Sequence, residues 1–409
     1  MKNANLKFFE LSPKYERDNI KLGLSRIKKA LQELGNPCEN IPAIQIIGTN
    51  GKGSIAAYLE SILFEAKRNF GVTTSPPLLE VWERIRVNKK NINKTDFEKI
   101  YRLIEKNFST FELTPFEKII CCALNFFENK KVELLILEAG LGGRLDATTA
   151  HKSRPIIAIG NIGLDHKEFL GDTIEKIAEE KLAVIEKNSI VISCNQNSQV
   201  ENLITKKVKE VGAEIIWKDS ISNSYELGLK GIFQKQNASV AVGAIEALNN
   251  LGFNIKEKHI SEGLKKTTWN GRLEIINYLY KEILVDCAHN YPAAKALSNE
   301  RSNWENEDKG IYWILGVQRQ KDIYAILKTL LNKNDHLLIV PVPNQPSWQL
   351  NDLFQIKGID FQKIIEFKTF ELAIEYLFSL EKWPHNHPVL TGSIFLVAEF
   401  IKFANKKKC

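Results

Sequence analysis

The stretch AIQIIGTNGKGSIAAYLESILFEA (Ala43–Ala66) decides the fold class. Ala43–Ile47 is a short apolar run that reads as a buried strand, and Ile55–Ala66 reads as a helix. Between them stands Gly48-Thr-Asn-Gly-Lys-Gly-Ser54. Strand, glycine-rich turn and helix form the setting in which backbone N–H groups and a helix N-terminus cradle phosphate. Asn50, Gly51, Lys52, Gly53 and Ser54 are therefore candidate nucleotide contacts. Lys52 would neutralise the outer phosphates, and Ser54 would face a metal or a phosphate oxygen. The spacing departs from the standard phosphate loop, because Ile46 takes the place of its first glycine and Gly53 separates Lys52 from Ser54. An ordinary strand-to-helix turn is the competing reading; the flanking strand and helix favour nucleotide binding.

Outward from this loop, the pattern predicts a helix over 14–35, with Ile20, Leu22, Leu24, Ile27, Leu31 and Leu34 on one face. Buried strands are predicted at Leu134–Leu137, Ile156–Ile159, Ile190–Ser193 and Glu214–Trp217. Helices are predicted at Pro115–Glu128, Thr173–Glu186, Gln199–Val211 and Asn237–Leu251. Such alternation implies a mostly parallel sheet covered on both faces. After Trp269-Asn-Gly-Arg272 the pattern restarts. Strands are expected at Leu273–Tyr278, Glu282–Asp286, Ile311–Leu315, His336–Val340, Lys363–Glu366 and Pro388–Leu390, with helices at Pro292–Glu300, Lys321–Leu331, Thr369–Ser379 and Ser393–Asn405. The expectation is an α/β protein of two domains, a nucleotide-binding one over 1–267 and a smaller Rossmann-like one over 268–409.

Composition agrees. A chain of 409 residues fits two domains. Its 44% hydrophobic and 26% charged residues exclude a disordered or fibrous chain. No run approaches the roughly 18 apolar residues of a membrane span, and the start MKNANLKFFE lacks a secretory pattern. Six cysteines (38, 121, 122, 194, 287 and 409) show no CxxC pair and read as reduced thiols of a cytoplasmic protein. The net charge of +7 is mild, and the one tight basic run is Lys406–Lys408. A small-molecule enzyme with anionic ligands, a monomer without nucleic-acid or membrane partners, is expected.

Several charged residues stand where α/β proteins place ligand groups, at the carboxyl ends of predicted strands. Glu138 ends one strand and suits Mg²⁺, or caps the turn that follows. Asp165 and His166 follow another, and a histidine there is more often structural than metal-binding. Asp286-Cys-Ala-His-Asn290 follows a third and could touch a nucleotide or cap a helix. Arg272, at the domain junction, could reach a phosphate or form an interdomain salt bridge. By spacing alone, Lys181 reads as a solvated lysine among glutamates.

In order, the motifs GTNGKGS (48–54), TSPPL (74–78), ERIRVN (83–88), TPFE (114–117), EAGLGGRLDAT (138–148), IGLDH (162–166), EEK (179–181), WNGR (269–272) and DCAHN (286–290) resemble the folylpolyglutamate synthase/dihydrofolate synthase family, relatives of the Mur peptide ligases. The resemblance implies an ATP- and Mg²⁺-dependent carboxylate–amine ligase that adds L-glutamate to dihydropteroate, to reduced folates, or to both, through an acyl phosphate. It implies that Asn50–Ser54, Asn237, Arg272 and Asp286 bind ATP, with His289 close by as a catalytic group beside Lys52 and Lys181. Ser75, Glu138 and His166 would hold Mg²⁺. Lys181 would be a carboxylated lysine, against the reading by spacing. Thr114, Pro115, Phe116, Glu117, Leu145, Asp146 and Ala147 would contact the pterin-bearing substrate, with Ile20–Gly23 as a further contact. The ATP site would be shared between the two domains. Pro77, Asn270, Cys287 and Thr149 depart from the family's usual residues. The alternatives are another Mur-type amino-acid ligase acting on a uridine-linked peptide, and a nucleotide-binding regulatory relative without turnover.

Overall fold

A computed structural model describes residues 19–304, 309–354 and 363–406. The chain forms two compact units. One runs to Gly228 and resumes over Phe233–Thr268; the other comprises Leu229–Ile232 and the chain from Trp269 onward.

The first unit contains β1 (Ala43–Ile47), β2 (Phe70–Thr73), β3 (Ile85–Val87), β4 (Lys90–Asn91), β5 (Leu134–Glu138), β6 (Ile156–Ile159), β7 (Ile190–Cys194) and β8 (Glu214–Lys218) in one sheet of order β4-β3-β2-β5-β1-β6-β7-β8. Its helices are α1 (Ser25–Glu33), α2 (Lys52–Glu65), α3 (Lys94–Asn107), α4 (Pro115–Asn129), α5 (Ile174–Leu182), α6 (Ser198–Val211), α7 (Gln234–Asn250) and α8 (Glu257–Lys265). The central strand β1 lies between β5 and β6 and pairs parallel with both. All five of its residues are buried. That is why its sequence is apolar on both faces, with Gln45 as the polar exception, hydrogen-bonded to Thr148, Thr149 and Arg154. Helix α2 is buried from Ser54 to Leu63 and so lacks a polar stripe.

The second unit holds β9 (Glu274–Tyr278), β10 (Lys281–Val285), β11 (Tyr312–Leu315), β12 (His336–Ile339), β13 (Ile364–Glu366) and β14 (Val389–Thr391), ordered β13-β12-β11-β14-β10-β9. All pair parallel except β9 with β10. Helices α9 (Tyr291–Asn299), α10 (Ile323–Leu330), α11 (Phe370–Ser379) and α12 (Ile394–Lys406) alternate with the strands. No helix among the described residues is long and apolar enough to cross a membrane. Five cysteines are buried and unpaired.

Two predicted helices are shorter than expected. Of the helix predicted over 14–35, residues 14–18 lie outside the described residues, and the helix begins only at Ser25. Gly23, with φ 146°, cannot continue a right-handed helix, so Ile20 and Leu22 leave the predicted face. The helix expected to reach Glu186 stops at Leu182, because the chain turns there to bury Val184 and Ile185. The sequence reading also omitted β2–β4, α3 and α8. Helix α3 carried a usable signal: Asn93 caps it, and Phe97, Tyr101 and Ile104 repeat at helical spacing.

Candidate active site

The phosphate-loop candidate leaves the carboxyl end of β1 and enters α2 through Gly51, whose φ of 86° favours glycine. A Cβ there would stand 2.4 Å from the Asn237 Oδ1, so glycine also lets α7 approach the loop. Asn237, expected at the nucleotide, thus lies against it. The loop is tied to the segment after β6: Thr49 and Asn50 N–H groups donate to the Asn161 carbonyl at 2.7 and 3.0 Å. The Thr49 hydroxyl donates to the Gly163 carbonyl at 2.9 Å and accepts from its N–H at 3.0 Å. Gln196, which sequence reasoning missed, adds a third strand end by accepting from Ile162 N–H and donating to the Gly160 carbonyl. Ser54 is buried, and its hydroxyl accepts from Gln234 at 3.3 Å.

Two lysines converge on this loop. Lys52 Nζ donates to the carbonyls of Gly48 at 3.1 Å and Thr49 at 3.3 Å. Lys181 Nζ donates to the same Gly48 carbonyl at 3.0 Å. The solvated-lysine reading of Lys181 is corrected here: the residue is 4% exposed. Ile177, Ala178, Lys181 and Leu182 form the buried face of α5, so the i, i+4 spacing from Ile177 was the overlooked signal. Nor does Lys181 pair with the adjacent glutamate, since Glu180 binds Arg144 at 2.8 Å. Burial, reinforced by the charge of Lys52, lowers the Lys181 pKa to about 7, against weaker opposing pulls from Asp165 and Asp146.

The segment after β5 lies on the end of α5. A Cβ on Gly143 would be 2.5 Å from the Lys181 carbonyl oxygen, and Arg144 N–H donates to the Glu180 carbonyl. Asp146 holds this segment, accepting from Gly140 and Leu141 N–H groups and from both the N–H and hydroxyl of Thr148. Burial raises its pKa despite those bonds. Thr149, one of the departures, donates to the Gly143 carbonyl at 2.8 Å. Phe116 of one expected substrate segment lies against Gly140, at the start of the loop that leads to the other, at a distance that a side chain there would violate. Thr114 and Glu117 form a capping box with Pro115 in the first turn of α4. The Glu117 carboxylate also pairs with Arg26 at 3.2 Å. Leu145 is half-buried, whereas Ala147 joins the core.

Strand pairing brings two of the expected metal residues, Ser75 and Glu138, together. Thr73 of β2 lies opposite Leu137 of β5, so the chain beyond β2 runs past Glu138. There Ser75 N–H donates to Glu138 Oε2 at 3.2 Å, and Glu138 is buried. His166 has φ 52°, and its N–H donates to Asp165 Oδ1 at 2.9 Å while its Nε2 lies 3.8 Å from Asp165 Oδ2. Among the described residues no three His, Cys, Asp or Glu side chains gather as a self-sufficient metal centre. One buried carboxylate beside a serine and a phosphate loop instead suits Mg²⁺, which takes few protein ligands and completes its shell with water and phosphate oxygens.

In the second unit, Asp286 is buried and accepts from Leu273 and Ala288 N–H groups at 3.1 and 2.8 Å. Burial raises its pKa, and the nearby Arg272 guanidinium opposes that rise. Arg272 also hydrogen-bonds the Cys287 thiol, so this departure from the family pattern touches an expected ATP residue. His289 Nδ1 lies 2.8 Å from the Cys287 carbonyl oxygen.

Comparison with known proteins gives two family matches: the Mur ligase middle domain over residues 46–242 and the dihydrofolate synthetase C-terminal domain over residues 273–403. A probable dihydrofolate synthetase of Schizosaccharomyces pombe is 31% identical, with 94% of this chain and 98% of that protein aligned. A dihydrofolate synthase/folylpolyglutamate synthase of Buchnera aphidicola is 30% identical over 92% of this chain and 93% of its own. A bifunctional folylpolyglutamate synthase/dihydrofolate synthase of Yersinia pestis, solved with AMPPNP and a Mn ion, superposes with a TM-score of 0.82 at 25% identity, covering 94% of each chain.

Proposed function

The chain belongs to the dihydrofolate synthase/folylpolyglutamate synthase family, and we propose that it joins L-glutamate to dihydropteroate at the expense of ATP. It is an ATP-dependent ligase of the Mur type. The dihydrofolate synthetase match of the second unit and the Schizosaccharomyces pombe relative support dihydropteroate as the acceptor. The observation that carries the reaction type is the convergence of Lys52 and Lys181 on the Gly48 carbonyl at the end of β1, next to the end of the paired strand β5 that bears Glu138.

A free carboxylate is a poor electrophile. Its oxygen attacks the γ-phosphorus of ATP, ADP leaves, and the resulting acyl phosphate gives the glutamate amine a carbonyl with a good leaving group. Amide formation then releases phosphate. Lys52 and the loop N–H groups stabilise charge that develops on the transferring phosphoryl group. Ser75, Glu138 and His166 would hold Mg²⁺, which when bound would neutralise phosphate oxygens. Lys181, as its carbamate, presents an anion beside Lys52. Asp146 fixes the loop that bears Leu145, which together with Phe116 of α4 meets the pterin side of the substrate, and Thr114, Pro115, Glu117 and Ala147 shape the wall behind them. Asn237, Arg272 and Asp286 are the further residues assigned to ATP, and His289 is assigned as a catalytic group.

Labelled glutamate supplied with ATP and either dihydropteroate or tetrahydrofolate tests the assignment. Incorporation with dihydropteroate is expected, and equal incorporation with both acceptors would assign both activities. Incorporation with tetrahydrofolate alone would overturn the acceptor. No ATP-dependent incorporation with either would overturn the reaction. Glu138→Gln and His166→Ala are each expected to raise the Mg²⁺ concentration giving half-maximal rate. An unchanged titration in both variants would put the metal elsewhere. Arg272→Ala should slow turnover far more than it lowers the melting temperature, measured side by side on the purified chain.

A further inference from the structure

The motif ERIRVN contributes no residue to the proposed chemistry, yet its Arg86 side chain is buried against the segment that bears Ser75. Arg86 is 6% exposed and Glu60 is 4% exposed. The guanidinium meets the Glu60 carboxylate through Nε and a terminal nitrogen, each at 3.0 Å. Its other terminal nitrogen donates to the Thr74 hydroxyl at 2.9 Å and to the Glu83 carbonyl at 2.6 Å. Glu60 belongs to α2, the helix whose first residue is Lys52. Thr74 immediately precedes Ser75, whose N–H reaches Glu138. One planar cation therefore joins the phosphate-loop helix to the residue before the expected metal serine. The far end of the segment is held by the same motif, because Glu83 accepts from Leu78 and Leu79 N–H groups at 3.0 Å each.

We infer that Arg86 is a positioning residue for the metal site, acting through the Thr74 hydroxyl to set Ser75 and Glu138 against the phosphate-loop helix. The inference rests on the reading of Ser75 and Glu138 as metal-holding residues. A guanidinium suits the task because its fork satisfies a carboxylate and a hydroxyl in one plane, whereas an ammonium on a flexible stem fixes no direction. Backbone pairing alone leaves slack: beyond β2, Thr74 is held by one further bond, from its N–H to the Arg84 carbonyl at 3.2 Å. A metal ligand must be placed within a fraction of an ångström, so a small drift of this segment weakens the site without unfolding it.

The test measures Mn²⁺ binding by electron paramagnetic resonance on the full chain, saturated with a non-hydrolysable ATP analogue. Thr74→Val keeps the shape of the side chain and deletes the hydroxyl that accepts from Arg86. It is expected to weaken Mn²⁺ binding about five- to tenfold, the scale of one charge-assisted hydrogen bond felt indirectly. Thr74→Ser restores the hydroxyl and should return affinity to within about twofold of wild type, which loss of packing would not explain. Arg86→Lys, which keeps a cation beside Glu60, should weaken binding to a similar degree and supplies a second route if the valine variant folds poorly. Wild-type Mn²⁺ affinity in a folded Thr74→Val or Arg86→Lys protein would overturn the inference. Glu138→Gln, run alongside, separates the two ideas: if it leaves Mn²⁺ binding unchanged, the metal assignment itself fails, and the inference fails with it.

Discussion

Lys52→Ala is expected to lower turnover by about 10²–10³ while leaving the protein folded. Among the described residues its ammonium hydrogen-bonds the carbonyls of Gly48 and Thr49, and the side chain is half-buried at the rim of the loop. The loss falls on the step in which charge moves onto the phosphoryl oxygens, where a fixed cation in a site shielded from water has its greatest effect. A second consequence follows from the neighbouring lysine. The charge of Lys52 is one of the causes that lower the Lys181 pKa, so its removal also returns Lys181 toward the ordinary lysine range and disfavours the neutral amine. The variant should show both effects: a low rate at saturating ATP, and a pH profile displaced to higher pH. Near-wild-type turnover in the purified, folded variant would sink the phosphate-loop assignment.

Lys181→Ala should reduce turnover by about two orders of magnitude, with part of the rate restored by acetate or another short carboxylate. Carboxylation takes the neutral amine: the nitrogen bonds to the carbon of CO₂, a proton passes to solvent, and an anionic carbamate remains. An ordinary lysine, with pKa 10.5, is almost wholly charged near neutrality, whereas at a pKa of about 7 this one is roughly half neutral there. The sign is definite. As pH falls through about 7 the amine becomes protonated and the carbamate is lost; as pH rises, the amine becomes available. Enzyme depleted of CO₂ should therefore regain activity on addition of bicarbonate, and more readily at about pH 8 than at about pH 6. Acetate rescue of the alanine variant is the specific check, because a merely packed lysine would not be replaced by an anion. A bare ammonium at Lys181 in CO₂-replete crystals, or absence of any bicarbonate effect, would overturn the carbamate.

The sequence by itself determined the α/β class, because fully buried strands such as β5 and β6 read as apolar runs whose ends coincide with charge or glycine. It also marked the strand ends Gly48, Glu138 and Asp286 as places for chemistry, since a charged residue directly after a buried strand is conspicuous in one dimension. Helix α3 and the short antiparallel strands β3 and β4 escaped notice, being short or half-polar segments. Tertiary structure alone decided the state of Lys181. Local sequence surrounds it with glutamates, but the fold turns it inward onto Gly48, 133 residues away along the chain, and burial beside Lys52 changes its protonation. The same holds for Arg86, whose partners Glu60 and Thr74 come from two other elements. Periodicity reports which face of an element is buried. It carries no information about which distant charge waits on the other side, and electrostatics in a low-dielectric interior depends on that neighbour.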